Sequence, residues 1–265
     1  MSVTAEQLVA VLGGTATATF VRDVIVAEGV DTVKFLHSQL SQDLVSMAVG
    51  ETKWSFLLQP TGKLVALIRV VRSAENTVEL DTDAGHGEAV VEALARFKIR
   101  TKCELTLRPG VEHAASWSER LPVLVEGEGT FGGAVSDVCA IVRGFPRWGR
   151  ELHDSTIPNA TGLVDRAASF TKGCYTGQEL VERIDSRGGN VPRRLVGLVL
   201  AGLPDEVGDD TGLLLDGSPA GDLTSICTDP RTGATVGLAY VSRSVDEASS
   251  LVTATGCAAR VVVLS

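Results

Sequence analysis

The sequence lacks the cysteine patterns that build disulfide frameworks and metal sites. Its five cysteines, at positions 103, 139, 174, 227 and 257, are odd in number and far apart, and no C-x-x-C pair occurs. This spacing argues against a zinc site or a four-cysteine cluster made by this chain alone. The four histidines are scattered singly as well, so no metal site is predicted. Most of the thiols are expected to be reduced and buried as small apolar residues.

A basic charge balance and long apolar runs are also missing. The net charge is −9 and the pI is near 5.0, which argues against direct nucleic-acid binding and against anionic membrane surfaces. No apolar run approaches the ~18 residues of a membrane-spanning helix. The first residues carry neither the basic flank nor the apolar core of a signal peptide. We therefore expect a cytoplasmic protein.

The 265 residues, 44% of them hydrophobic, can form one large domain or two to three small ones. Hydrophobic periodicity and turn residues predict alternating strands and helices in the first half, typical of an α+β unit with an antiparallel sheet. The predicted elements are a strand over 19–26, a helix from Asp31 through Val45, a hairpin of 54–58 and 63–71, a strand over 77–80, a helix over 86–98, and a strand over 103–107 that stops at Pro109–Gly110.

A glycine-rich loop over 127–132 formally matches the dinucleotide pattern G-x-G-x-x-G. The pattern works only between a strand and a helix, where the helix N-terminus faces the pyrophosphate. The β-branched stretch 135–142 predicts a second strand after the loop, in addition to the one over 121–125. We therefore interpret this loop as a turn and reject a dinucleotide site.

The chain after Pro192 changes character, with short strands separated by Gly, Pro and Asp. Strands are predicted over 195–201, 213–215, 220–227, 235–241 and 258–264. Spacing of this kind favours a small closed barrel or sandwich, with a boundary near Gly189–Asn190.

One stretch carries candidate chemistry, the segment Lys172–Glu179 (KGCYTGQE) with the residues up to Gly189. Thr176 and Glu179 match a capping box, which predicts that a helix begins there. Cys174 would then lie just outside a helix N-terminus, two residues after Lys172, and both the helix dipole and the nearby cation favour a thiolate. The alternative is a buried cysteine in a tight turn.

This octapeptide resembles the signature of the YgfZ-type folate-binding proteins that assist iron–sulfur enzymes, relatives of the glycine cleavage T-protein (aminomethyltransferase). The resemblance extends along the chain. It includes the segments 35–43 (FLHSQLSQD), 57–63 (LLQPTGK), 97–102 (FKIRTK) and 192–195 (PRRL).

The resemblance implies an α+β fold in a three-lobed ring, with two α+β lobes of antiparallel sheets and a C-terminal β-barrel. The first lobe would comprise 1–52 and 143–189 with the cysteine motif, the second 53–142, and the barrel 190–265. Tetrahydrofolate would be held centrally, near Cys174, and the partners would be iron–sulfur enzymes or assembly proteins, including those that thiolate tRNA.

Cys174 and Lys172 are the functional residues that the resemblance implies. The residues expected to contact folate are Arg100, Lys102, Arg147, Asp165, Tyr175, Gln178 and Glu179. The basic members would pair with the glutamate tail of folate. Surface or capping roles remain the alternatives for Lys172, the arginines and Glu179.

The chain departs from the T-protein where that enzyme carries paired aspartates, because Val65 and Ala66 stand there. Neither side chain acts as a base or stabilises a cation, and the segment 64–71 holds no carboxylate. The sequence therefore predicts a folate-binding accessory protein that is not a classical turnover enzyme. The alternatives are a folate-dependent aminomethyl- or methyltransferase that uses another acid, and a thiol-redox or scaffold protein that has lost folate.

Overall fold

The computed structural model describes residues 2–202 and 211–264. Its contacts group into two compact units. The first unit comprises Met1–Phe20, Glu112–Glu151 and Val191–Ser265, and the second comprises Val21–Val111 and Leu152–Asn190. The predicted three-lobe division stays a prediction.

The described residues form twelve strands and six α-helices, with a 3₁₀ turn at Pro158–Thr161. In chain order they are α1 (Ala5–Leu12), β1 (Ala18–Glu28), α2 (Thr32–Gln39), β2 (Thr52–Leu58), β3 (Leu64–Ala74), β4 (Thr77–Asp83), α3 (Gly87–Ala95), β5 (Glu104–Ser116), β6 (Val123–Glu126), α4 (Gly133–Arg143), α5 (Val164–Ala167), α6 (Gln178–Asp185), β7 (Arg193–Leu200), β8 (Gly212–Leu215), β9 (Ser218–Thr228), β10 (Thr235–Ser242), β11 (Ser250–Thr253) and β12 (Ala258–Val262).

The second unit is built on a sheet with the strand order β2-β3-β4-β1-β5. β2, β3, β4 and β1 pair antiparallel, with Ile25 opposite Leu80 and Leu80 opposite Val70. Successive side chains alternate between the two faces of a strand. These three residues therefore share one face, where they pack in a core with Leu36 of α2 and Leu94 of α3.

The first unit holds α1, α4 and a closed barrel with the strand order β10-β7-β12-β11-β8-β9. The barrel has its own apolar core, which includes Leu198, Leu213 and Val241. Ile141 of α4 packs against Leu195 and Leu238 of the barrel. The predicted C-terminal barrel is therefore present; of its strands, β11 went unpredicted because its four residues, SLVT, are too short to show a pattern.

The segment 135–142 is helical, so the predicted strand there is wrong. Within α4 the buried residues include Val135, Cys139 and Ala140, which is helical spacing, and Gly144 closes the helix in a left-handed conformation with φ 72°. The glycine-rich loop thus does precede a helix, contrary to our premise. Its backbone is nevertheless committed to β1, because the N–H of Gly129 donates to Thr19 Oγ1 and the carbonyl of Phe131 accepts from the N–H of Thr19.

Several predicted element ends are shifted by up to three residues, such as that of α3, which ends at Ala95 rather than 98, and two are wrong by more. β5 continues through Pro109 and Gly110 to Ser116 rather than stopping. The carboxylate of Asp23 supports this irregular point, since it accepts the N–H of Gly110 at 3.0 Å. The helix that follows Asp31 ends at Gln39 rather than Val45.

Candidate functional site

The cysteine segment reaches α6 through irregular backbone, with Cys174 exposed three residues before the N-cap. α6 begins at Gln178, and its N-cap Gly177 is left-handed with φ 79° and receives no side-chain cap. The predicted capping box of Thr176 and Glu179 is therefore wrong. A left-handed N-cap directs the preceding chain away from the capping geometry, and Thr176 turns to α2 instead.

The bonds that replace the capping box tie the segment to α2 and to itself. Thr176 donates through its N–H to Ser38 O at 3.2 Å and through Oγ1 to Gln39 Oε1 at 3.1 Å. Gln178 accepts the N–H of Tyr175 on Oε1 at 3.0 Å and donates from Nε2 to Glu182. Gln178 therefore closes the turn around Tyr175, while Glu179 remains exposed in the first turn of α6.

Lys172 inserts its ammonium among the backbone carbonyls at the end of α2. Nζ donates to Leu40 O at 2.7 Å, to Gln42 O at 3.2 Å and to His37 O. Burial lowers the pKa of Lys172 to about 8, an effect that the charge of Asp43 partly opposes. Since an ammonium has three protons, all three are committed to these carbonyls. The structure thus gives Lys172 an anchoring contact, and its predicted influence on the Cys174 thiol stays a prediction.

Tyr175 lies buried beside the three backbone carbonyls that hold the Lys172 ammonium, which together form the Lys172 cage. Its ring centroid is 5.0 Å from Lys172 Nζ, a cation–π contact. Burial, followed by the charge of Glu182, raises the pKa of Tyr175 to about 12. Its hydroxyl is buried and has no hydrogen-bond partner among the described residues. A buried hydroxyl without a partner is costly, so this atom is suited to a ligand's hydrogen bond.

The cysteine segment and the β2–β3 hairpin interlock through two glycines. A Cβ on Gly62 would lie 2.4 Å from Leu180 Cβ and 3.0 Å from Gly177 O, and a Cβ on Gly177 would lie 2.5 Å from Gln59 O. Both glycines have positive φ, near 80°. Any larger residue would separate the two segments, so the predicted hairpin turn 59–62 and the cysteine motif form one structural piece.

The buried acids of the same unit are committed to other partners. Asp81 pairs with Arg22 Nε at 3.0 Å and with Arg69 Nε at 2.5 Å, while Arg22 also reaches Asp83 at 3.3 Å. Asp23 accepts the N–H groups of Gly85, Gly87 and Gly110. Ala66 itself is buried in the apolar core. This ion cluster was not predicted from the sequence, although acids alternate along β4 at 79, 81 and 83.

The remaining predicted folate contacts are dispersed. Arg100 and Lys102 are exposed in the loop after α3, and Asp165 is exposed in α5. Within the first unit, Arg147 pairs with Asp137 and lies 5.2 Å over the ring of Phe20. The contacts among the predicted residues are those of Lys172, Tyr175 and Gln178, and their assignment to folate stays a prediction.

Within residues 2–202 and 211–264, no group of three or more His, Cys, Asp or Glu side chains is placed to hold a metal ion. None of the helices in that part of the chain is long and apolar enough to cross a membrane.

The antiparallel sheet and the closed C-terminal barrel together define the architecture, which is that of the glycine cleavage T-protein. The crystal structure of the glycine cleavage system aminomethyltransferase T from Bartonella henselae matches with a TM-score of 0.78, over 97% of this chain and 88% of that chain, at 16% sequence identity. The predicted α+β class with antiparallel sheets and a C-terminal barrel is confirmed.

Residues 193–263 match the family of the glycine cleavage T-protein C-terminal barrel domain. An uncharacterized protein of Haemophilus influenzae is 27% identical over 76% of this chain and 80% of its own length. An Arabidopsis thaliana chloroplast protein named as a transferase is 31% identical over 49% of this chain, and an aminomethyltransferase of Staphylococcus saprophyticus is 29% identical over 42%. The aligned regions span only 29% and 30% of those two proteins.

Proposed function

We propose that this protein binds reduced folate and serves iron–sulfur cluster assembly or repair in the cytoplasm, with Cys174 as its functional thiol. The observation that carries the proposal is the placement of Cys174. Among the five cysteines it alone is exposed in the described structure, on a segment fixed by the Lys172 cage and by the Gly62–Gly177 contact. Support for tRNA-modifying iron–sulfur enzymes would then be indirect.

The residues of the cysteine segment fit a pterin in their chemistry. The buried hydroxyl of Tyr175 still has a hydrogen bond to make, and the carboxylate of Glu179 is exposed on the same segment. Asp165, which lies outside the segment on α5, is a second exposed carboxylate. A carboxylate accepts paired N–H groups well, and the aminopyrimidine edge of a pterin presents such a pair. Bound tetrahydrofolate would supply a carrier for one-carbon units. Lys172 and Gln178 would act by holding Tyr175 and the loop in place.

Aminomethyl transfer is the alternative, and the structure provides one argument against it. That chemistry needs a carboxylate that is available to the reacting nitrogen. Val65 and Ala66 provide none, Asp81 is buried between two arginines, and Asp23 accepts three backbone N–H groups. The exposed carboxylates of Glu179 and Asp165 are assigned in this proposal to the pterin edge. We therefore favour folate binding with thiol chemistry at Cys174 over turnover. The match to the T-protein architecture is the observation that keeps the alternative in view.

The first experiment is an anaerobic calorimetric titration with tetrahydrofolate. We expect saturable binding at micromolar concentrations in the wild-type protein and weaker binding in Tyr175→Phe, which removes only the hydroxyl. Lack of binding by a demonstrably folded wild-type protein would remove folate from the proposal.

The thiol role is tested separately in cells that lack the protein. Cys174→Ser should fail to restore the activity of an iron–sulfur enzyme, whereas Cys257→Ser, a partly buried cysteine of the barrel, should restore it. Full restoration by Cys174→Ser would contradict the role of the thiol. Folate-dependent release of ammonia from an aminomethyl-lipoyl carrier would support the alternative instead.

A further inference from the structure

The loop from Arg96 to Lys102 is positively charged, whereas the protein as a whole is negatively charged. Its seven residues, RFKIRTK, contain four cations and no acid, in a chain whose net charge is −9. Two large apolar side chains alternate with the cations and face solvent, Phe97 at 41% and Ile99 at 77% exposure. The loop therefore presents a mixed basic and apolar surface.

The backbone holds this surface in a defined shape. Lys102 donates its N–H to Asp31 Oδ2 at 2.8 Å, and its carbonyl accepts the N–H of Asp31 at 3.2 Å. Val30, the residue before Asp31, is 68% exposed at this junction. Arg100 adopts a left-handed conformation with φ 54°, which is uncommon for a residue with a side chain. A preformed loop loses little entropy when it binds a partner.

Three of the four cations are available. Arg96 pairs with Glu92 on α3. Lys98, Arg100 and Lys102 make no side-chain hydrogen bond or ion pair within residues 2–202 and 211–264. The surface therefore consists of three apolar residues, Val30, Phe97 and Ile99, interleaved with three uncompensated cations.

We infer that this surface docks an acidic segment of a partner protein that carries apolar side chains. Charge complementarity selects the acidic residues, and the exposed Phe97 and Ile99 select the apolar ones. The glutamate tail of folate would use Arg100 and Lys102 but would leave Ile99 in water. An extended nucleic acid or an anionic bilayer presents negative charge over a much larger area than a short acidic segment does, so it would meet more repulsion from the rest of this acidic molecule. This inference rests on the loop alone and does not depend on the proposed function.

The test is a selection of random dodecapeptides displayed on phage against the full-length protein, followed by fluorescence anisotropy with the selected peptides. We expect enrichment of Asp and Glu together with Leu, Ile or Phe. Ile99→Ser and Arg100→Glu should each weaken binding by about tenfold, the scale of an interface anchor. Val9→Ser, which alters an apolar residue of α1 that is 57% exposed, should leave binding unchanged.

Three results with peptides would overturn the inference. They are failure of the selection to enrich any sequence, enrichment of neutral or basic peptides, and equal binding by the wild type and Ile99→Ser. If oligoglutamate also displaces the peptide fully in the third case, the loop is assigned to a folate tail. Binding of polyuridylate RNA or of phosphatidylglycerol vesicles that Ile99→Ser abolishes, without peptide binding, would assign it to those ligands instead.

Discussion

Lys172 illustrates at the residue scale how one partly buried cation can organise a loop. Its ammonium satisfies the carbonyl of His37 in the last turn of α2 and those of Leu40 and Gln42 after it, where helical carbonyls have no partner within the helix. Lys172→Met keeps most of the apolar stem and removes every donor. We expect the free energy of unfolding to fall by about 2 kcal/mol, the scale of buried polar groups left unpaired. Urea unfolding measures this loss, and Lys63→Met, at an exposed lysine, should change it by less than about 0.5 kcal/mol.

The same substitution should change the titration of His37. Burial is the largest cause that lowers the pKa of His37 below 6.5, the charge of Lys172 lowers it further, and Asp43 opposes both. Lys172→Met removes a positive neighbour, so the pKa of His37 should rise while staying below 6.5. NMR titration of the imidazole measures it, and a pKa that stays fixed or falls would contradict the assigned cause.

The lowered pKa of His37 also sets the sign of its effect on stability. In the folded protein its pKa lies below the 6.5 of the unfolded chain, so the unfolded state binds the proton more readily. Its contribution is therefore present above pH 6.5 and is lost as the pH falls through the folded-state value. The loss should be smaller in Lys172→Met.

Asp81 is the residue on which two buried guanidiniums depend. Asp81→Asn keeps the shape but leaves Arg22, which is fully buried, and Arg69 without their shared carboxylate. Breaking such a buried network costs about 3–5 kcal/mol. Asp222→Asn breaks the exposed pair with Arg193 and should cost less than about 1 kcal/mol. Equal losses in denaturant unfolding would show that the buried cluster contributes no more than a surface pair.

At the scale of elements, the hairpin β2–β3 and the start of α6 are held together by the contact between Gly62 and Gly177. Gly62→Ala adds a Cβ at 2.4 Å from Leu180 Cβ, whereas Gly50→Ala adds one with the same positive φ but nothing within 4 Å. The backbone strain is thus matched. Overpacking should make Gly62→Ala about 1–3 kcal/mol more destabilising than Gly50→Ala in thermal or urea unfolding.

A double substitution identifies the interlock directly. Gly62→Ala and Gly177→Ala disturb one contact, so together they should cost less than the sum of the single losses. They should also increase the labelling rate of Cys174 by an alkylating reagent, because the segment that positions the thiol loosens. Strict additivity, with unchanged labelling, would mean that the two glycines act independently.

Local sequence patterns predicted the elements in which one kind of signal dominates, such as turn residues or regularly spaced strands. The turn 59–62 and the flanking strands were found because proline and glycine mark the hairpin, and the barrel because its strands recur between turn residues. The helix α4 was missed because Val135, Val138 and Val142 favour strands locally, while packing around Cys139 and Ala140 selects the helix. Gly144 was the sequence signal that could have revealed the helix, because a glycine commonly ends a helix in the left-handed conformation.

The candidate site was likewise predicted only in part, since its residues were identified from the motif but their contacts were not. The resemblance selected Cys174, Lys172, Tyr175 and Gln178 from the motif, and the structure brings the last three into contact. Their roles could not be predicted, because the partners of Lys172 lie in the last turn of α2 and just after it, more than a hundred residues earlier in the chain. A capping box depends on four neighbouring residues, and the long-range bonds of Thr176 to Ser38 and Gln39 replaced it.

At the scale of the whole molecule, the contacts raise the question whether α4 and the C-terminal barrel unfold as one cooperative unit. The resemblance places α4 and the barrel in different lobes, whereas the contacts place both in the first unit, where Ile141 of α4 packs against Leu195 of β7 and Leu238 of β10. Ile141→Ala deletes buried apolar volume at this contact and should cost about 2–4 kcal/mol. The question is whether this substitution also destabilises the strands of the barrel.

Hydrogen exchange measured by mass spectrometry answers it. If α4 and the barrel unfold together, Ile141→Ala should accelerate exchange throughout β7 and β10, because amides in one cooperative unit share its opening free energy. Val123→Ala, at an exposed position of β6, should leave both strands unchanged. Acceleration confined to α4 would instead make the barrel a self-sufficient domain and would favour the three-lobe division. Since the match to the T-protein barrel family covers only 193–263, that result would also define the barrel as the portable part of the chain.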